Sequence, residues 1–495
     1  MLKINELANI YNIDNFSCYG DYLGKVSISD KDKKGNLILV TAISPTKYGE
    51  GKTTVAIGLV DAMNKINKSC CGVLREPSLG PVFGLKGGAT GGGKSLVVPS
   101  DEINLHFTGD FHAITSANNL IAASVDNHIY HGNELGIVKK VFKRCIDMND
   151  RYLRDDFNIT AASEIMTVFC LSKDIYDLRE RIGNIIVGYN KDDRPIFAKD
   201  LHVEGSCTML LKEAIKPNIV QTLENNLVYV HGGPFANISI GTSSCVSINE
   251  GLKNFDYVIT EAGFGSDLGA VKFFDIMAKN NDLTPNCVVL VVTNKAVKVN
   301  GLENIEAHLN ILSSYGVNVV VAINKHSDDT DEEIKYITDY LDNKNVPYSI
   351  TNSFNEGGKG SINLANKVLE NIGNNKLNDI YNKKDSVVDK INKICINLYK
   401  AKEVKYLDNA LDKINLINKL NLNYPICICK TQYSISDDKK RTGYPKDYTV
   451  TVRDIDIMNG SKIIVVKLND VITMPGMPKS PNYLNIDIDS DSLIY

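Results

Sequence analysis

The sequence predicts an α/β fold in which a parallel sheet is flanked by helices on both faces. From residue 36 onward, short apolar runs of strand length alternate with segments of helical periodicity. This alternation is the order expected of parallel strands joined by crossover helices. Several of the short runs are nearly continuous in Val, Ile and Leu, which is typical of strands covered on both faces.

The predicted buried strands share this apolar character and are Leu37–Ile43, Gly72–Leu74, Met166–Leu171, Val228–His231, Tyr257–Thr260, Cys287–Val292 and Val317–Ile323. The predicted crossover helices lie between them, at Val55–Asn67, Asn118–Asn127, Glu213–Leu223, Gly269–Ala278, Ile305–Ser314 and Glu332–Leu341. Beyond residue 374, helical periods over 386–421 are followed by short strand-like runs. We therefore predict an α/β domain at 1–280, a smaller α/β domain at 281–374 and a C-terminal α+β domain at 375–495.

Composition limits the functions that the chain can have. A hydrophobic content of 43% and a charged content of 23% are typical of globular proteins. The net charge of -4 does not favour nucleic-acid binding, and no apolar run approaches the roughly 20 residues that span a bilayer. Eleven cysteines without Cys-x-x-Cys spacing do not favour zinc or iron–sulfur sites. We expect a cytoplasmic protein without nucleic-acid or membrane partners.

The central motif is Thr41-Ala-Ile-Ser-Pro-Thr-Lys-Tyr-Gly-Glu-Gly-Lys-Thr-Thr54, which joins the first predicted strand to the first predicted helix. This layout is typical of a phosphate-binding loop, because glycines let backbone N–H groups converge on an anion at a helix N-terminus. The residues predicted to bind nucleotide are Thr46, Lys47, Tyr48, Gly49, Glu50, Gly51, Lys52, Thr53 and Thr54. Lys52 would reach the outer phosphates of ATP, and the Thr53 hydroxyl would hold a magnesium ion. The strict pattern has glycine where Thr46 stands, so an ordinary strand-to-helix turn is the alternative.

A second unusual segment runs from Arg75 to Lys94. Its repeated glycines and two prolines argue against a helix or a central strand. The segment begins where a predicted strand ends, which is where open α/β sheets bind ligands. We interpret it as a ligand loop lined by backbone, with Arg75 and Glu76 at the end of the strand. A flexible surface linker is the alternative.

Polar residues 104–119 follow the glycine-rich segment. Asp110 and His112 are candidates for orienting a substrate or moving a proton. The histidines of this region are not spaced as a His-x-x-x-His pair, so a catalytic zinc is not predicted.

Glycine-bearing loops also follow two later strands, at His231–Ile240 and Glu261–Gly269. Loops of this kind predict one site at one edge of the sheet.

Taken together, these motifs resemble those of one family, formate–tetrahydrofolate ligase. The matching segments are Pro45–Thr54, Arg75–Gly84, Lys86–Ala89, Asn104–Ala113, His231–Asn237, Glu261–Gly269, Lys430–Asp438 and Met474–Pro478. The resemblance extends from about residue 20 to the end of the chain. It implies a P-loop NTPase-like sheet and a ligase that joins formate to tetrahydrofolate with ATP. The products would be 10-formyltetrahydrofolate, ADP and phosphate, formed through formyl phosphate.

The resemblance also implies roles for individual residues. Lys52 would act in phosphoryl transfer, and Arg75 would present a planar fork to formyl phosphate. Glu76 and Asp110 are our candidates for contacts to the folate amine and the pterin, and His112 is a further candidate. His326 and Phe354, in the second predicted domain, stand where the family more often has Phe and Trp, and would stack on the pterin. The family further implies a homotetramer activated by potassium or ammonium.

Two other interpretations stay open on the sequence alone. Another carboxylate-activating ligase with a phosphate loop would share that loop but not the Arg75 segment. A nucleotide-driven switch of the partitioning type would work through a partner protein. It would need membrane-targeting or dimer-switch features, which the sequence does not display.

Overall fold

The computed structural model of the protein describes residues 1–47, 49–85, 89–488 and 493–494. Tyr48 of the predicted nucleotide loop and residues 86–88 of the glycine-rich segment lie outside the described residues. Within the described ranges, no helix combines the length and the apolar character needed to cross a membrane.

The strands are β1 (Phe16–Tyr19), β2 (Leu23–Val26), β3 (Asn36–Ala42), β4 (Cys70–Leu74), β5 (Gly91–Gly92), β6 (Ser95–Val98), β7 (Lys139–Lys140), β8 (Arg144–Ile146), β9 (Phe157–Ile159), β10 (Ile186–Tyr189), β11 (Pro195–Phe197), β12 (Asn218–Thr222), β13 (Leu227–Val230), β14 (Tyr257–Glu261), β15 (Cys287–Val292), β16 (Val319–Asn324), β17 (Tyr348–Thr351), β18 (Glu403–Tyr406), β19 (Ile426–Cys429), β20 (Thr449–Val452), β21 (Asp454–Met458), β22 (Ile463–Lys467), β23 (Asp487–Ile488) and β24 (Leu493–Ile494).

The α-helices are α1 (Ile4–Ile10), α2 (Lys52–Lys65), α3 (Leu79–Phe83), α4 (Ser100–Asn104), α5 (Asp110–Tyr130), α6 (Glu164–Leu171), α7 (Ile175–Gly183), α8 (Glu204–Leu210), α9 (Cys245–Asn254), α10 (Lys279–Asn281), α11 (Asn294–Asn300), α12 (Leu302–Ser314), α13 (Asp331–Asn343), α14 (Ser353–Glu356), α15 (Ile362–Glu370), α16 (Val387–Lys393) and α17 (Asp408–Lys419). Short 3₁₀ segments lie at Arg151–Leu153, Thr160–Ala162, Ala198–Leu201, Gly357–Ser361 and Asn482–Asn485, and π-helical segments at Ser266–Ala270, Phe273–Ala278 and Ile394–Leu398.

One large sheet organises the molecule, with strand order β1-β2-β12-β13-β4-β14-β3-β15-β16-β17. The run from β13 to β17 is parallel throughout, whereas β1, β2 and β12 pair antiparallel at one side. The predicted α/β class with a parallel sheet is therefore confirmed. Because parallel strands end at one edge of their sheet, the loops after β3, β4, β14, β15 and β16 meet there.

Both faces of the sheet are covered, which explains the near-continuous apolar strands. On β3, Ile38 and Val40 belong to a core shared with α2 and α15. Leu37 and Leu39, which alternate with them, belong to the larger core on the opposite face. The phosphate-loop helix is thus held against the sheet by packing along its length.

The run Met166–Leu171, predicted as a strand, is instead the buried helix α6. The N-cap Ser163 side chain accepts a hydrogen bond from the backbone N–H of Met166 at 3.2 Å. A short helix buried on all sides has the same apolar pattern as a buried strand, so periodicity alone could not separate them. The serine cap was the signal that marked the helix.

The segment Glu213–Leu223, predicted as a helix, contains the strand β12. Pro217 stands directly before that strand, and the residue before a proline is disfavoured in helical conformation. The predicted helical stretch 386–421 is also divided, because β18 lies between α16 and α17. The alternating exposure of Glu403, Val404, Lys405 and Tyr406 is typical of an edge strand.

The predicted domain boundaries stay predictions, but the structure shows how the three predicted domains pack against one another. Strands β15, β16 and β17 of the second predicted domain continue the sheet of the first. The C-terminal part adds the sheets β18-β20 and β19-β22-β21 with α16 and α17. One apolar core extends from Ile4 to Leu468, so the C-terminal elements share the interior of the large sheet.

Candidate functional site

The predicted phosphate loop has the backbone geometry that such a loop needs. It leaves β3 at Ala42 and enters α2 at Lys52. Gly49 and Gly51 have positive φ angles of 78° and 68°, which glycine adopts at little cost. Gly51 is the N-cap of α2, so Lys52, Thr53 and Thr54 form the first turn, where backbone N–H groups have no partner within the helix.

Glu50 anchors the phosphate loop through both its side chain and its backbone carbonyl. Its buried carboxylate accepts hydrogen bonds from the backbone N–H of Thr46, at 2.6 Å, and from the Thr293 hydroxyl. The Asn324 side chain donates to the Glu50 carbonyl at 3.2 Å. Thr293 follows β15 and Asn324 ends β16, so the two neighbouring strands fix the loop. Sequence reasoning did not predict either residue.

A second carboxylate, Glu261 at the end of β14, lies at the start of α2. The Thr53 hydroxyl donates to Glu261 Oε2 at 2.8 Å. On its other side, Glu261 Oε1 lies 3.6 Å from Nη2 of Arg75. The structure thereby brings the Arg75 segment to the phosphate loop. Glu261 opens a motif noted in the sequence, but no role was predicted for it.

The electrostatics around Lys52 fit an anion-binding site. Removal from water lowers the pKa of Lys52 from its usual value, and the charge of Arg75 acts in the same direction. The carboxylates of Glu261 and Glu50 oppose this shift, with Glu261 the stronger of the two. Two cationic groups therefore lie close to one another beside the N-terminus of α2, where a phosphate group would offset their repulsion.

Glu76 and Asp110 form a separate buried cluster beside Arg75. Asp110 accepts hydrogen bonds from Lys25 Nζ at 2.8 and 3.0 Å and from the Asn218 side chain at 2.8 Å. Burial first, and then the charge of Asp110, raise the pKa of Glu76 well above its usual range. The Oε2 atom of Glu76 has no hydrogen-bond partner among the described residues. Lys25 was not predicted, since one lysine in a short apolar run has no distinctive pattern.

The glycine-rich segment contains regular structure where none was expected. Leu79–Phe83 form the single-turn helix α3, because the Asp147 carboxylate accepts from the Ser78 hydroxyl and from the Leu79 N–H at 2.5 and 3.0 Å. Pro81 lies in the first turn, where its missing N–H costs nothing. Further on, Gly91–Gly92 pair with β6 as a short hairpin.

Phe354 lies against this hairpin. The Lys94 N–H donates to the Phe354 carbonyl at 2.8 Å. A Cβ atom on Gly92 would come within 3.2 Å of the Phe354 ring and 3.8 Å of the Thr54 hydroxyl. The ring, which is 55% exposed, is therefore close to the first turn of α2.

His326 reaches the same edge of the sheet from the next strand. Asn324 of β16 pairs with Thr351 of β17, so the residues that follow them, His326 and Phe354, leave neighbouring strand ends. The His326 N–H donates to Asp329 at 2.8 Å, and its side chain is half-buried. Both residues therefore follow strands that end at the edge of the sheet where the phosphate loop lies.

The remaining predicted positions are less closely tied to this edge. His112 is exposed, two residues into α5, and Lys47 is exposed in the phosphate loop. Across the described part of the chain, no group of three His, Cys, Asp or Glu side chains is arranged to hold a metal ion by itself.

A parallel sheet whose central strand enters a helix through a glycine loop, with lysine and arginine beside it, defines an α/β protein of the phosphate-loop class. The family model for formate–tetrahydrofolate ligase matches residues 1–495. The chain therefore belongs to the formate–tetrahydrofolate ligase family. The resemblance identified from its motifs is confirmed, and so is the prediction of an enzyme of the ligase class.

Curated relatives agree over nearly the whole chain. The formate–tetrahydrofolate ligase of Campylobacter concisus (strain 13826) is 47% identical over 98% of this chain and 95% of its own length. The formate–tetrahydrofolate ligase of Caldicellulosiruptor saccharolyticus (strain ATCC 43494 / DSM 8903 / Tp8T 6331) is 45% identical over 99% of this chain and 97% of its own length. Neither of the alternative interpretations of the phosphate loop is supported by these relatives.

Among solved structures, a putative plasmid partition protein from Borrelia burgdorferi B31, bound to AMPPNP, matches 69% of this chain and 100% of its own. The sequence identity is 13% and the TM-score is 0.29. A similarity at this level carries no argument for the partitioning alternative.

Proposed function

We propose that the protein ligates formate to tetrahydrofolate with ATP, releasing 10-formyltetrahydrofolate, ADP and phosphate. The observation that carries this proposal is the contact of Arg75 with the phosphate loop through Glu261. It places a guanidinium, which suits a planar acyl phosphate, beside the lysine that suits the outer phosphates of ATP. Membership of the family supports the choice of substrates.

The reaction has two steps. A formate oxygen attacks the γ-phosphorus of ATP, and the bond to ADP breaks to give formyl phosphate. The folate amine then attacks the formyl carbon, phosphate leaves, and the amine loses a proton. Lys52 and Arg75 stabilise the charge that develops on the transferred group in the first step. Backbone N–H groups of residues 49–54 hold the nucleotide phosphates.

In this proposal, the buried cluster of Glu76 and Asp110 acts in the second step, in which the folate amine reacts. Protonated Glu76, with its free Oε2 atom, donates a hydrogen bond towards the folate amine or the leaving phosphate. Asp110 maintains this protonation by its charge and is itself positioned by Lys25. A direct contact of Asp110 with the pterin stays a prediction, because Lys25 and Asn218 take both of its carboxylate oxygens. His112, exposed near the start of α5, is proposed as a further residue on the folate side.

Magnesium accompanies ATP in this proposal. The Thr53 hydroxyl, already bonded to a carboxylate, offers the hard oxygen chemistry that this ion prefers. When bound, the ion would neutralise charge on the nucleotide phosphates. His326 and Phe354 would hold the pterin by stacking. Phe354 would approach it from the β5–β6 hairpin.

The assembly and cofactor preferences of the family are also proposed for this protein. It would act as a cytoplasmic homotetramer activated by potassium or ammonium. The eleven cysteines, all free and ten of them buried, suit a reducing compartment. Light scattering should give four times the mass of the chain, and replacing potassium by sodium should reduce turnover.

The function is tested by measuring ADP release with each substrate omitted in turn. Release should require formate and tetrahydrofolate together, and Lys52→Ala should lower kcat by at least about 10²–10³-fold, as expected when a charge-stabilising donor is removed. Lys65→Ala, at the far end of the same helix, is the matched control and should retain activity. Release without either acceptor would support a nucleotide switch, and release that requires another acid would support a different ligase.

A further inference from the structure

We propose that Gly58 is a positioning residue for the folate-stacking ring of Phe354. Its missing side chain lets α14, which carries Phe354, dock directly on the phosphate-loop helix α2. This inference rests on the proposed function, because it takes Phe354 as a residue that stacks on the pterin. It concerns a glycine inside a helix, to which neither the motifs nor the resemblance assigned a role.

The approach of the two helices at Gly58 leaves no space for a side chain. A Cβ atom at this position would lie 2.5 Å from the Ser353 hydroxyl oxygen, 2.6 Å from the Ser353 Cβ atom and 3.0 Å from the Ser361 hydroxyl oxygen. Carbon atoms in contact normally stand about 3.5–4.0 Å apart. Glycine inside a helix is destabilising relative to alanine, and the close contact accounts for its presence here.

Hydrogen bonds fix the start of α14 against its surroundings. The hydroxyl groups of Thr351, Ser353 and Ser361 are bonded to one another at 2.9, 2.8 and 2.6 Å, and all three side chains are buried. The Ser353 carbonyl also accepts a hydrogen bond from the Ser95 hydroxyl at 2.9 Å. Because Ser353 directly precedes Phe354, a displacement of Ser353 moves the ring with it.

Crowding at Gly58 would move α14 rather than α2. The residues on either side of Gly58, Ile57 and Leu59, are buried in two different apolar cores, so α2 is held by packing in two directions. Helix α14 is a single turn, Ser353–Glu356, whose last three residues are exposed. The distance between the phosphate-loop helix and the ring of Phe354 is therefore determined by the contact at Gly58.

The test fills this contact and measures the binding of each ligand separately. Calorimetry on the full-length protein would give the Kd for tetrahydrofolate and the Kd for AMPPNP with magnesium. Gly58→Ala should raise the Kd for tetrahydrofolate by about 2–12-fold, the loss expected when one aromatic stacking contact is displaced. The Kd for AMPPNP should not change, because α2 keeps its place on the sheet. A general loss of structure would weaken both ligands.

Two variants at Ser353 make the test independent of how well Gly58→Ala folds. Ser353→Gly removes the two nearest atoms that a methyl group at position 58 would meet, so adding it to Gly58→Ala should recover most of the folate affinity. Ser353→Thr adds a methyl group to the same contact from the α14 side. It should also raise the Kd for tetrahydrofolate, and it decides alone if Gly58→Ala does not fold.

Gly251→Ala is the matched control, because Gly251 lies inside α9, where a Cβ atom would come within 3.2 Å of Cys71 and Val258. It crowds a helix on the sheet in the same way but should leave both Kd values unchanged. An unchanged Kd for tetrahydrofolate in Gly58→Ala and Ser353→Thr would overturn the inference. So would an equal weakening of both ligands that Ser353→Gly does not reverse. If the wild type does not bind tetrahydrofolate at all, the proposed function itself fails.

Discussion

Among single residues, Asp61 on the phosphate-loop helix α2 is expected to make the stability of the protein depend on pH. Its Oδ1 atom accepts hydrogen bonds from Thr222 and Asn226 at 2.5 and 2.7 Å, deep inside the protein. Burial raises its pKa to about 7, although the hydrogen bonds from Thr222 and Asn226 oppose the rise; the smaller effects of the Glu224 and Lys65 charges raise and lower it, respectively. The folded protein thus keeps a proton that the unfolded chain releases near pH 4. The stability that this proton provides is lost as the pH rises to about 7.

Replacing Asp61 by Asn should remove this part of the pH dependence, because the amide imitates the protonated acid. We expect Asp61→Asn to raise the melting temperature more at pH 8 than at pH 5. Thermal unfolding across this range, with the exposed Asp156→Asn as control, would measure the difference. Parallel pH profiles for Asp61→Asn and the wild type would show that the carboxyl is not protonated in the fold.

The second prediction for a single residue concerns His326 and the affinity of the protein for tetrahydrofolate. A phenyl ring is a larger apolar platform than imidazole, so His326→Phe should strengthen stacking on the pterin. Because aromatic pairs contribute about 0.5–1.5 kcal/mol, the Kd for tetrahydrofolate should fall by roughly 2–12-fold. Fluorescence titration would measure it, with His131→Phe at the exposed end of α5 as control. An unchanged Kd would remove His326 from the folate site.

At the scale of elements, the turn into α2 depends on two glycines with different surroundings. Both have positive φ, so alanine at either position should cost about 1 kcal/mol of stability. A Cβ on Gly51 would also lie 2.6 Å from Asn324 Nδ2, whereas one on Gly49 meets nothing within 4 Å. Gly51→Ala should therefore be more destabilising than Gly49→Ala and should also weaken AMPPNP binding more. Urea unfolding and calorimetry would show this order, and equal effects would contradict the role of Asn324.

The same element shows what could be read from the sequence. The order β3, loop, α2 is local, because the apolar run, the glycines and the following helix occur within thirty residues. Its lysine and threonine could therefore be identified from the motif. Helix α6 could not be distinguished from a strand by its apolar pattern, although the Ser163 cap was present. Local chemistry thus predicts a loop well and a fully buried element poorly.

The unpredicted parts of the site depend on strand order. Glu261 meets Thr53 only because β14 lies beside β3, and the two residues are 208 positions apart in the chain. Thr293 and Asn324 reach Glu50 for the same reason, from β15 and β16. Lys25 meets Asp110 across 85 positions. None of these pairings has a local pattern, so they required the three-dimensional structure.

At the scale of the whole molecule, the C-terminal elements are joined to the sheet by a buried ion pair. Lys430, directly after β19, contacts Asp267 in the π-helical segment that follows β14, and both side chains are fully buried. The Tyr399 hydroxyl also donates to the Asp267 carbonyl at 2.7 Å. Asp267 lies six residues after Glu261. The C-terminal part therefore supports the segment that follows β14, the strand that ends with Glu261.

Removing Lys430 should test how strongly the two parts depend on one another. Lys430→Met leaves Asp267 buried without its partner, which should cost about 3–5 kcal/mol of unfolding free energy. Adding Asp267→Asn should restore part of this loss, because the unpaired charge is then gone. Urea unfolding would provide the values, with Lys335→Met in the exposed Lys335–Asp339 pair as a control that should change stability little, because solvent screens an exposed ion pair.

The number of unfolding transitions tests the predicted domain boundary at residue 374. Since one core connects both sides, tyrosine fluorescence and far-ultraviolet circular dichroism should follow a single transition in the wild type. Lys430→Met should shift that transition without dividing it. Two separate transitions would instead mark 375–495 as an independent domain. A loss below about 1 kcal/mol would show that the buried pair is replaceable and that apolar packing alone holds the C-terminal elements against the sheet.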